Sequence, residues 1–240
     1  MSNHILILNR WPQYSVGERW DNALARYSDL IDHHRYRVTY LCDPLGAQGM
    51  SREKGGAFAG DVPNVHVVPD LSDTDAVLAQ GGRLIDRTGP FDHVIAFSEY
   101  LLDVAALIRD CFDIPGDRPA DTDRFRDKTI MKTILAAAGV RVPVWSACPG
   151  TGEESRADAG ALPDFPLILK PRRGASSKDV HKVSSRAALE ELLVGRNTAE
   201  FEIEEFIDGT LCHADGVLDR SARCLFMNVA RSLAPCLAFA

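Results

Sequence analysis

The sequence lacks long apolar runs and paired cysteines. No apolar segment of the chain approaches the roughly 20 residues that a membrane-spanning helix requires, and the run near the amino terminus is too short for a signal peptide. Six cysteines are scattered without any C-x-x-C pair, which disfavours a zinc site and a disulfide framework. This usage is typical of reduced, mostly buried thiols. We therefore expect a cytoplasmic protein without a membrane partner.

An excess of positive charge is also absent. The formal net charge is -7 and the isoelectric point lies near 5.5, which argues against a general binder of nucleic acid or membrane surfaces. Apolar residues at 45% and charged residues at 25% describe an ordinary globular protein. A chain of 240 residues can form one large domain or two medium ones. A local group of basic residues therefore needs a specific explanation.

Such a group occurs in FPLILKPRRGASSKDVHKV, residues 165–183, where an apolar strand leads into Lys170 and a loop of basic and small residues. α/β proteins place ligands at the carboxyl ends of strands, and a lysine there supplies a compact charge to phosphate oxygens. The small residues from Gly174 to Ser177 allow backbone N–H groups to surround an anion. Neither a Walker A loop nor a G-x-G-x-x-G fingerprint is present. The stretch predicts a phosphate site, with a solvated basic hairpin turn as the alternative.

Strand and helix signals alternate over about the first 115 residues. Short apolar β-rich runs between helical patterns predict a small doubly wound α/β domain with a parallel sheet buried on both faces. Ser98 is the predicted N-cap of the helix after the fourth strand. The turn-rich acidic segment 112–123 is the best candidate for a domain boundary. The predicted strands cover 4–8, 36–43, 64–70 and 91–97, and two of the predicted helices cover 20–31 and 72–85.

The second half of the chain predicts a mixed arrangement of helices and strands. A helix follows the boundary, with Gly139 at its C-terminal cap and an apolar face formed by Ile130, Met131, Ile134, Leu135 and Ala138. Ser185 is the predicted N-cap of a helix over 186–194. Segment 148–164 is predicted to be an irregular connection. Further strands are predicted from Phe165 and over 180–183, 199–207, 213–218 and 224–229.

The order of these motifs resembles the ATP-grasp superfamily of ligases, from residue 91 onward. The succession comprises a helix lysine in RFRDKTIMKTILAAAGVRVPVW, a strand lysine, a small-residue loop and an acidic hinge in IEEFIDG. The resemblance implies that Lys128 and Lys170 contact a nucleotide and that the loop with Gly174, Ser176 and Ser177 closes over its phosphates. It implies that the hinge faces the adenine through Glu204, Glu205, Phe206 and Ile207. It also implies that His213, on the next strand, adds a contact to the nucleotide.

The resemblance also implies a domain plan and an activity. A doubly wound pre-ATP-grasp α/β domain would cover 1–118, and a partial α+β ATP-grasp domain would cover 119–240. In carboxylate–amine ligases of this kind the carboxylate attacks the γ-phosphate of ATP, and an amine then displaces phosphate from the acylphosphate to form an amide. The expected partners are a small-molecule carboxylate and amine rather than nucleic acid, and homodimer formation stays open. No catalytic side chain is assigned, because positioning and charge neutralisation suffice for this chemistry.

Two departures from the family pattern affect these expectations. Leu211 stands where the family usually has a ribose-binding glutamate, which leaves Asp208 or His213 as alternatives for that contact. The family binds Mg²⁺ through acidic and amide side chains on late strands, but no acidic residue follows Asp219 and Asn228 is isolated. We therefore assign no metal ligand and expect the Mg²⁺ ligands outside this chain. A truncated ligase is expected, with an ATP-binding module that lacks catalysis as the alternative.

Overall fold

The computed structural model describes residues 3–13, 26, 30–50, 64–148, 164–219 and 221–233. The chain divides into two compact units, Met1–Asp123 and Arg124–Ala240. The predicted helix over 20–31, the predicted connection over 148–164 and the carboxyl-terminal apolar segment lie largely outside the described residues. Within the described residues, no helix combines the length and the apolar character needed to cross a membrane.

The first unit contains a four-stranded sheet in which every neighbouring pair is parallel. The strands are β1 (His4–Asn9), β2 (Arg37–Cys42), β3 (Val65–Val67) and β4 (His93–Ala96). Their spatial order is β3-β2-β1-β4, so the chain adds strands on one side of β1 before it crosses to the other side. This arrangement confirms the parallel α/β sheet that the alternating sequence pattern predicts.

Both faces of this sheet are buried, because successive side chains of a strand point to opposite faces. Leu6 and Leu8 belong to a core that includes residues of the two helices α1 (Thr74–Thr88) and α2 (Leu102–Cys111). Ile5 and Ile7 belong to a second core with Val38, Tyr40 and Met50. The near-continuous apolar character of β1 follows from burial on both sides.

The predicted capping role of Ser98 is wrong. Asp73 caps α1 by accepting a hydrogen bond from the backbone N–H of Ala76 at 3.0 Å. Ser98, in contrast, precedes a short 3₁₀ turn (Glu99–Leu101), and its side chain makes no capping hydrogen bond. The N-cap position of α2 is Leu101, because the 3₁₀ turn separates Ser98 from the helix.

The second unit contains a four-stranded antiparallel sheet and a separate two-stranded hairpin among the described residues. The helices are α3 (Pro119–Arg126), which spans the division between the units, α4 (Lys128–Ala137) and α5 (Arg186–Leu193). The strands are β5 (Trp145–Ala147), β6 (Leu167–Pro171), β7 (His181–Val183), β8 (Phe201–Glu205), β9 (Cys212–Leu218) and β10 (Cys224–Arg231). The sheet has the order β5-β8-β6-β7, and the hairpin pairs β9 with β10.

The two faces of the antiparallel sheet differ in polarity. One face forms an apolar core in which Leu167, Leu169 and Ile203 pack with Leu189 of α5. The alternate residues of β6 and β8 include Lys170, which lies opposite Glu202 in the strand register. Ser185 caps α5 as predicted, since its hydroxyl accepts a hydrogen bond from the N–H of Ala188 at 3.3 Å.

The predicted apolar face of α4 is not the buried face. Its buried residues are Thr129 and Lys132, whereas Ile134 is 45% exposed. The reason is that Lys132 reaches the charged side chains of β8, so a polar stripe faces inward. The end of the helix agrees with the prediction, because Gly139 follows the cap residue with a left-handed φ of 77°.

Candidate functional site

Asp127 joins the start of α4 to the residue that follows β6. Its Oδ1 accepts hydrogen bonds from the backbone N–H groups of Thr129 at 2.9 Å and Ile130 at 3.3 Å, which caps the helix. Its Oδ2 accepts a hydrogen bond from Nη2 of Arg172 at 2.8 Å. Burial opposes ionisation of this carboxyl, but the hydrogen bonds from Thr129 and Arg172 prevail and lower its pKa. The ionised Asp127 therefore fixes the first turn of α4 beside the end of β6.

Lys128, the first residue of α4, holds the beginning of the basic loop. Its backbone N–H donates to the carbonyl of Arg172 at 3.0 Å. Its Nζ donates to the carbonyls of Pro171, Arg172 and Gly174 at 3.1, 3.3 and 3.3 Å. An ammonium group has three donors, so these three carbonyls match its capacity. The amine of the helix lysine therefore contacts the backbone that directly follows the strand lysine.

Lys170 belongs to a group of four charged side chains, Lys132, Lys170, Glu202 and Glu204, which we call the charge cluster. Lys170 pairs with Oε1 of Glu204, and its Nζ lies 3.6 Å from Oε1 of Glu202. Nζ of Lys132 lies 2.6 Å from Oε1 of Glu202 and 2.6 Å from Oε2 of Glu204. Each lysine therefore contacts both carboxylates.

The charge cluster is buried to different depths. The side chain of Glu202 is fully buried and that of Lys132 is 5% exposed, whereas that of Lys170 is 17% exposed. Burial of a charge is costly unless an opposite charge compensates it, and two lysines balance two carboxylates here. Burial would raise the pKa of Glu204, but the charge of Lys170 and the hydrogen bond from Lys132 prevail and lower it. Lys170 is the member that a ligand reaches most readily.

The loop over 172–180 has an unusual backbone. Gly174 has a φ of 150°, and Ser176, Ser177 and Asp179 have left-handed φ values of 58°, 55° and 59°. A non-glycine residue in this region costs on the order of 1–3 kcal/mol, and such residues persist where the surrounding structure holds them. Strained backbone of this kind clusters at ligand sites.

The far end of this loop is held by an ion pair. The carboxylate of Asp179 accepts hydrogen bonds from Nη1 of Arg196 at 2.7 Å and lies 2.7 Å from Nε2 of His181. The guanidinium of Arg196, together with the imidazole of His181, lowers the pKa of Asp179. The loop is thus fixed at one end by Asp127 through Arg172 and at the other end by Arg196 through Asp179.

The predicted hinge residues follow β8. The N–H of Glu205 donates to the carbonyl of Val144 at 2.9 Å, so its predicted adenine contact would fall to the carbonyl oxygen. The ring of Phe206 lies 3.5 Å from Nζ of Lys182, and Ile207 is 55% exposed.

Among the predicted site residues, Lys128 contacts the carbonyl of Gly174, and Lys170 pairs with Glu204. Ser176 and Ser177 lie in the adjoining loop. His213 lies on the hairpin strand β9, where Nε2 is 3.3 Å from Oδ2 of Asp215 and the side chain is 60% exposed. The nucleotide contact assigned to His213 stays a prediction.

Sequence reasoning missed two members of the charge cluster. Lys132 follows Lys128 by four residues, which places both on one side of the helix. Glu202 precedes Glu204 by two residues, so both side chains leave the same face of β8. Two glutamates on one face of a buried strand require compensating cations, and this signal could have identified Lys132.

The described residues contain no group of three or more histidine, cysteine, aspartate or glutamate side chains able to hold a metal ion. The side chains around Lys170 therefore do not fit a Mg²⁺ site by themselves.

The chain is similar in sequence to two curated proteins. It is 27% identical over 188 residues to an L-arginine-specific L-amino acid ligase of Bacillus subtilis. The aligned region covers 72% of this chain and 43% of the ligase. It is 28% identical over 148 residues to the uncharacterized protein y4rH of Sinorhizobium fredii, which covers 58% of this chain and 30% of that protein. No protein-family model matches the chain. The chain therefore spans less than half the length of these two relatives.

Solved structures show the same fold. An L-amino acid ligase from Bacillus licheniformis matches 98% of this chain with a TM-score of 0.64 and 20% identity, over 52% of its own length. A carboxyaminoimidazole ribonucleotide synthase from Aspergillus clavatus, in complex with ATP, matches 98% of this chain with a TM-score of 0.62 and 16% identity, over 55% of its own length.

The chain is related to the ATP-grasp carboxylate–amine ligases. The match covers nearly the whole chain and about half of each ATP-grasp structure. The α/β architecture predicted from the sequence is therefore confirmed.

Proposed function

We propose that this chain is part of an ATP-dependent ligase that joins a carboxylate to an amine through an acylphosphate. The observation that supports the proposal is the hydrogen bonding of the Lys128 amine to the backbone that follows Lys170, at the start of a loop with left-handed Ser176 and Ser177. Two amines and a loop of small residues with left-handed backbone suit a polyphosphate. The relationship to an L-amino acid ligase supports amino acids as the first substrates to test.

In this proposal the two lysines exchange their present partners for phosphate oxygens. Lys128 would release the loop carbonyls of Pro171, Arg172 and Gly174, and Lys170 would turn from Glu204 toward the ligand. Binding of ATP would therefore reorganise the loop over 172–180. Phosphoryl transfer requires mainly positioning and compensation of charge, which two ammonium groups and oriented N–H dipoles supply.

The proposed reaction has two steps. A carboxylate oxygen of the first substrate attacks the γ-phosphorus, the bond between that phosphorus and the bridging oxygen of ADP breaks, and an acylphosphate and ADP result. The nitrogen of the second substrate then attacks the acyl carbon, phosphate leaves, and the nitrogen loses a proton to give the amide. The first step develops negative charge on ADP, and the amines of Lys128 and Lys170 stabilise it.

A second candidate is a nucleotide-binding module without catalysis. One observation favours it: the described residues contain no group of three or more histidine, cysteine, aspartate or glutamate side chains that could hold a metal ion. In this case the same lysines would bind the nucleotide and no transfer would follow.

Titration of the chain with ATP, followed by an assay of ADP release with pairs of amino acids, separates the two functions. Lys128→Met keeps the length of the side chain but removes its charge, and Arg186→Ala removes one exposed positive charge from the same unit as a control. We expect ATP to bind to the wild type and the control, and to bind at least tenfold more weakly to Lys128→Met, because a charge-assisted contact contributes roughly 1.5–3 kcal/mol.

ADP release that depends on both amino acids would support the ligase, and binding without release would support the module. A wild type that binds no ATP, or a folded Lys128→Met variant with unchanged affinity, would refute the assignment of the site.

A further inference from the structure

Lys132 is a buried cation that the proposed function does not use. Its side chain is 5% exposed and it lies between two carboxylates, at 2.6 Å from Glu202 and 2.6 Å from Glu204. The ring of Trp145 lies 5.7 Å from its Nζ and covers it further. A lysine so enclosed does not contact a ligand directly. Its effect on a ligand must pass through the groups that it neutralises.

The two lysines of the charge cluster share one carboxylate oxygen of Glu202. Oε1 of Glu202 receives both Lys132, at 2.6 Å, and Lys170, at 3.6 Å. Oε2 of Glu202 is buried and has no hydrogen-bond partner among the described residues. Compensation of this fully buried carboxylate therefore comes through one oxygen and two lysines. The closer lysine, Lys132, carries most of it.

We infer that Lys132 is a positioning residue that balances Glu202 and Glu204, so that the amine of Lys170 is released to a phosphate of the nucleotide. This inference rests on the proposed function. When Lys170 leaves the cluster, Lys132 stays between both carboxylates, and one cation remains for two anions. Without Lys132 no cation would remain, and the cost of two uncompensated buried carboxylates would hold Lys170 in place.

The inference makes nucleotide affinity a function of the charge of the cluster. The wild type carries two positive and two negative charges. Lys132→Met leaves a net charge of -1, Glu202→Gln leaves +1, and the double variant returns to zero. One unit charge at roughly 10 Å, through an effective dielectric constant of about 20, changes a binding constant about tenfold.

The experiment measures the dissociation constant of ADP for the four forms of the chain. We expect Lys132→Met to bind about tenfold more weakly than the wild type, Glu202→Gln to bind more tightly, and the double variant to return to wild-type affinity. Lys132→Arg keeps the charge and should retain most of the affinity. Restoration in the double variant excludes a direct contact between Lys132 and ADP, because such a contact would leave the double variant as weak as Lys132→Met. Tighter binding by Glu202→Gln alone excludes a purely structural role, which would not raise the affinity above that of the wild type.

A second measurement does not require a nucleotide. Acetic anhydride acetylates free amines, and the exposed Lys178 of the same loop serves as the internal reference for Lys170. We expect acetylation of Lys170 to be slower in Lys132→Met, faster in Glu202→Gln and unchanged in the double variant, because the cluster holds Lys170 in proportion to its negative charge. Equal rates in all four forms would overturn the inference. If the wild type bound no ADP, the proposed function would fail while this measurement still decided the role of Lys132.

Discussion

Asp127 allows a direct test of how the site is assembled, because its two carboxylate oxygens accept hydrogen bonds from different parts of the chain. Oδ1 caps α4 through Thr129 and Ile130, and Oδ2 pairs with Arg172 at 2.8 Å. Loss of an N-cap costs about 1 kcal/mol, and loss of a charged hydrogen bond about 1.5–3 kcal/mol. The side chain of Arg172 is 32% exposed, so we take the lower end for the pair. Asp127→Ala should therefore lower the free energy of unfolding by about 2–3 kcal/mol.

Asp127→Asn separates the two contributions. Asparagine retains an oxygen that accepts from the first turn, but it loses the charge that attracts Arg172. We expect this variant to lose about 1.5 kcal/mol. Urea unfolding of the wild type and both variants, followed by circular dichroism, gives the comparison. Equal stability of the wild type and Asp127→Ala would refute the reasoning.

The dependence on pH provides a second test of the same residue. The pKa of Asp127 in the folded chain lies below its ordinary value of 3.8. The folded state therefore binds this proton less readily than the unfolded state, and the ionised carboxylate contributes its stability above that value. The difference between the wild type and Asp127→Asn should be constant near neutral pH and should shrink as the pH falls below about 4. A difference that stays unchanged on acidification would show that charge plays no part.

Three further predictions concern the loop and its surroundings. Lys170→Ala should weaken ATP binding by roughly 1–3 kcal/mol in calorimetric titration, since it removes a charge-assisted contact, while Arg186→Ala should change it little; equal affinity in a folded Lys170→Ala would contradict the site. Gly174→Ala should destabilise the chain by about 1 kcal/mol in urea unfolding, because a residue with a side chain rarely adopts a φ of 150°. The added Cβ would make only one ordinary contact, so steric clash contributes little. Unchanged stability would mean that the loop backbone adjusts freely. Ser185→Ala should cost about 0.5–1 kcal/mol by the same measurement, because the cap of α5 is lost, and Ser185→Asn should retain it.

The sequence predicted the elements that depend on local rules. The apolar runs located β1 and β6, because burial on both faces or on one face leaves a clear pattern. Ser185 and Gly139 were identified because caps act within a few residues of the chain. The order of the lysines, the small-residue loop and the acidic hinge predicted the ATP-grasp fold, because that succession is specific even where each motif is not.

The predictions that failed concern groups whose partners are distant in sequence. Periodicity placed Ile134 on the apolar face of α4, but the buried residue Lys132 lies on another face, because it pairs with Glu202, 70 residues further along the chain. Ser98 had the right residue type for a cap, but a 3₁₀ turn intervened. Asp127 and Arg172 form their contact between separate motifs, across 45 residues, and no local pattern announces it. Long-range polar pairing therefore limits what the pattern alone predicts about the site.

The anchoring of the basic loop at Arg172 and Asp179 limits how far it can travel. Only residues 173–178 lie between the two anchors. Seven Cα–Cα steps join Arg172 to Asp179 and span at most about 25 Å when fully extended, so a loop held at both ends rises no more than about 12 Å. A loop of that height can cover the phosphates of a nucleotide, but it cannot also enclose the base and the sugar. Whatever shields the remainder of a bound nucleotide from water has to come from other segments of the protein.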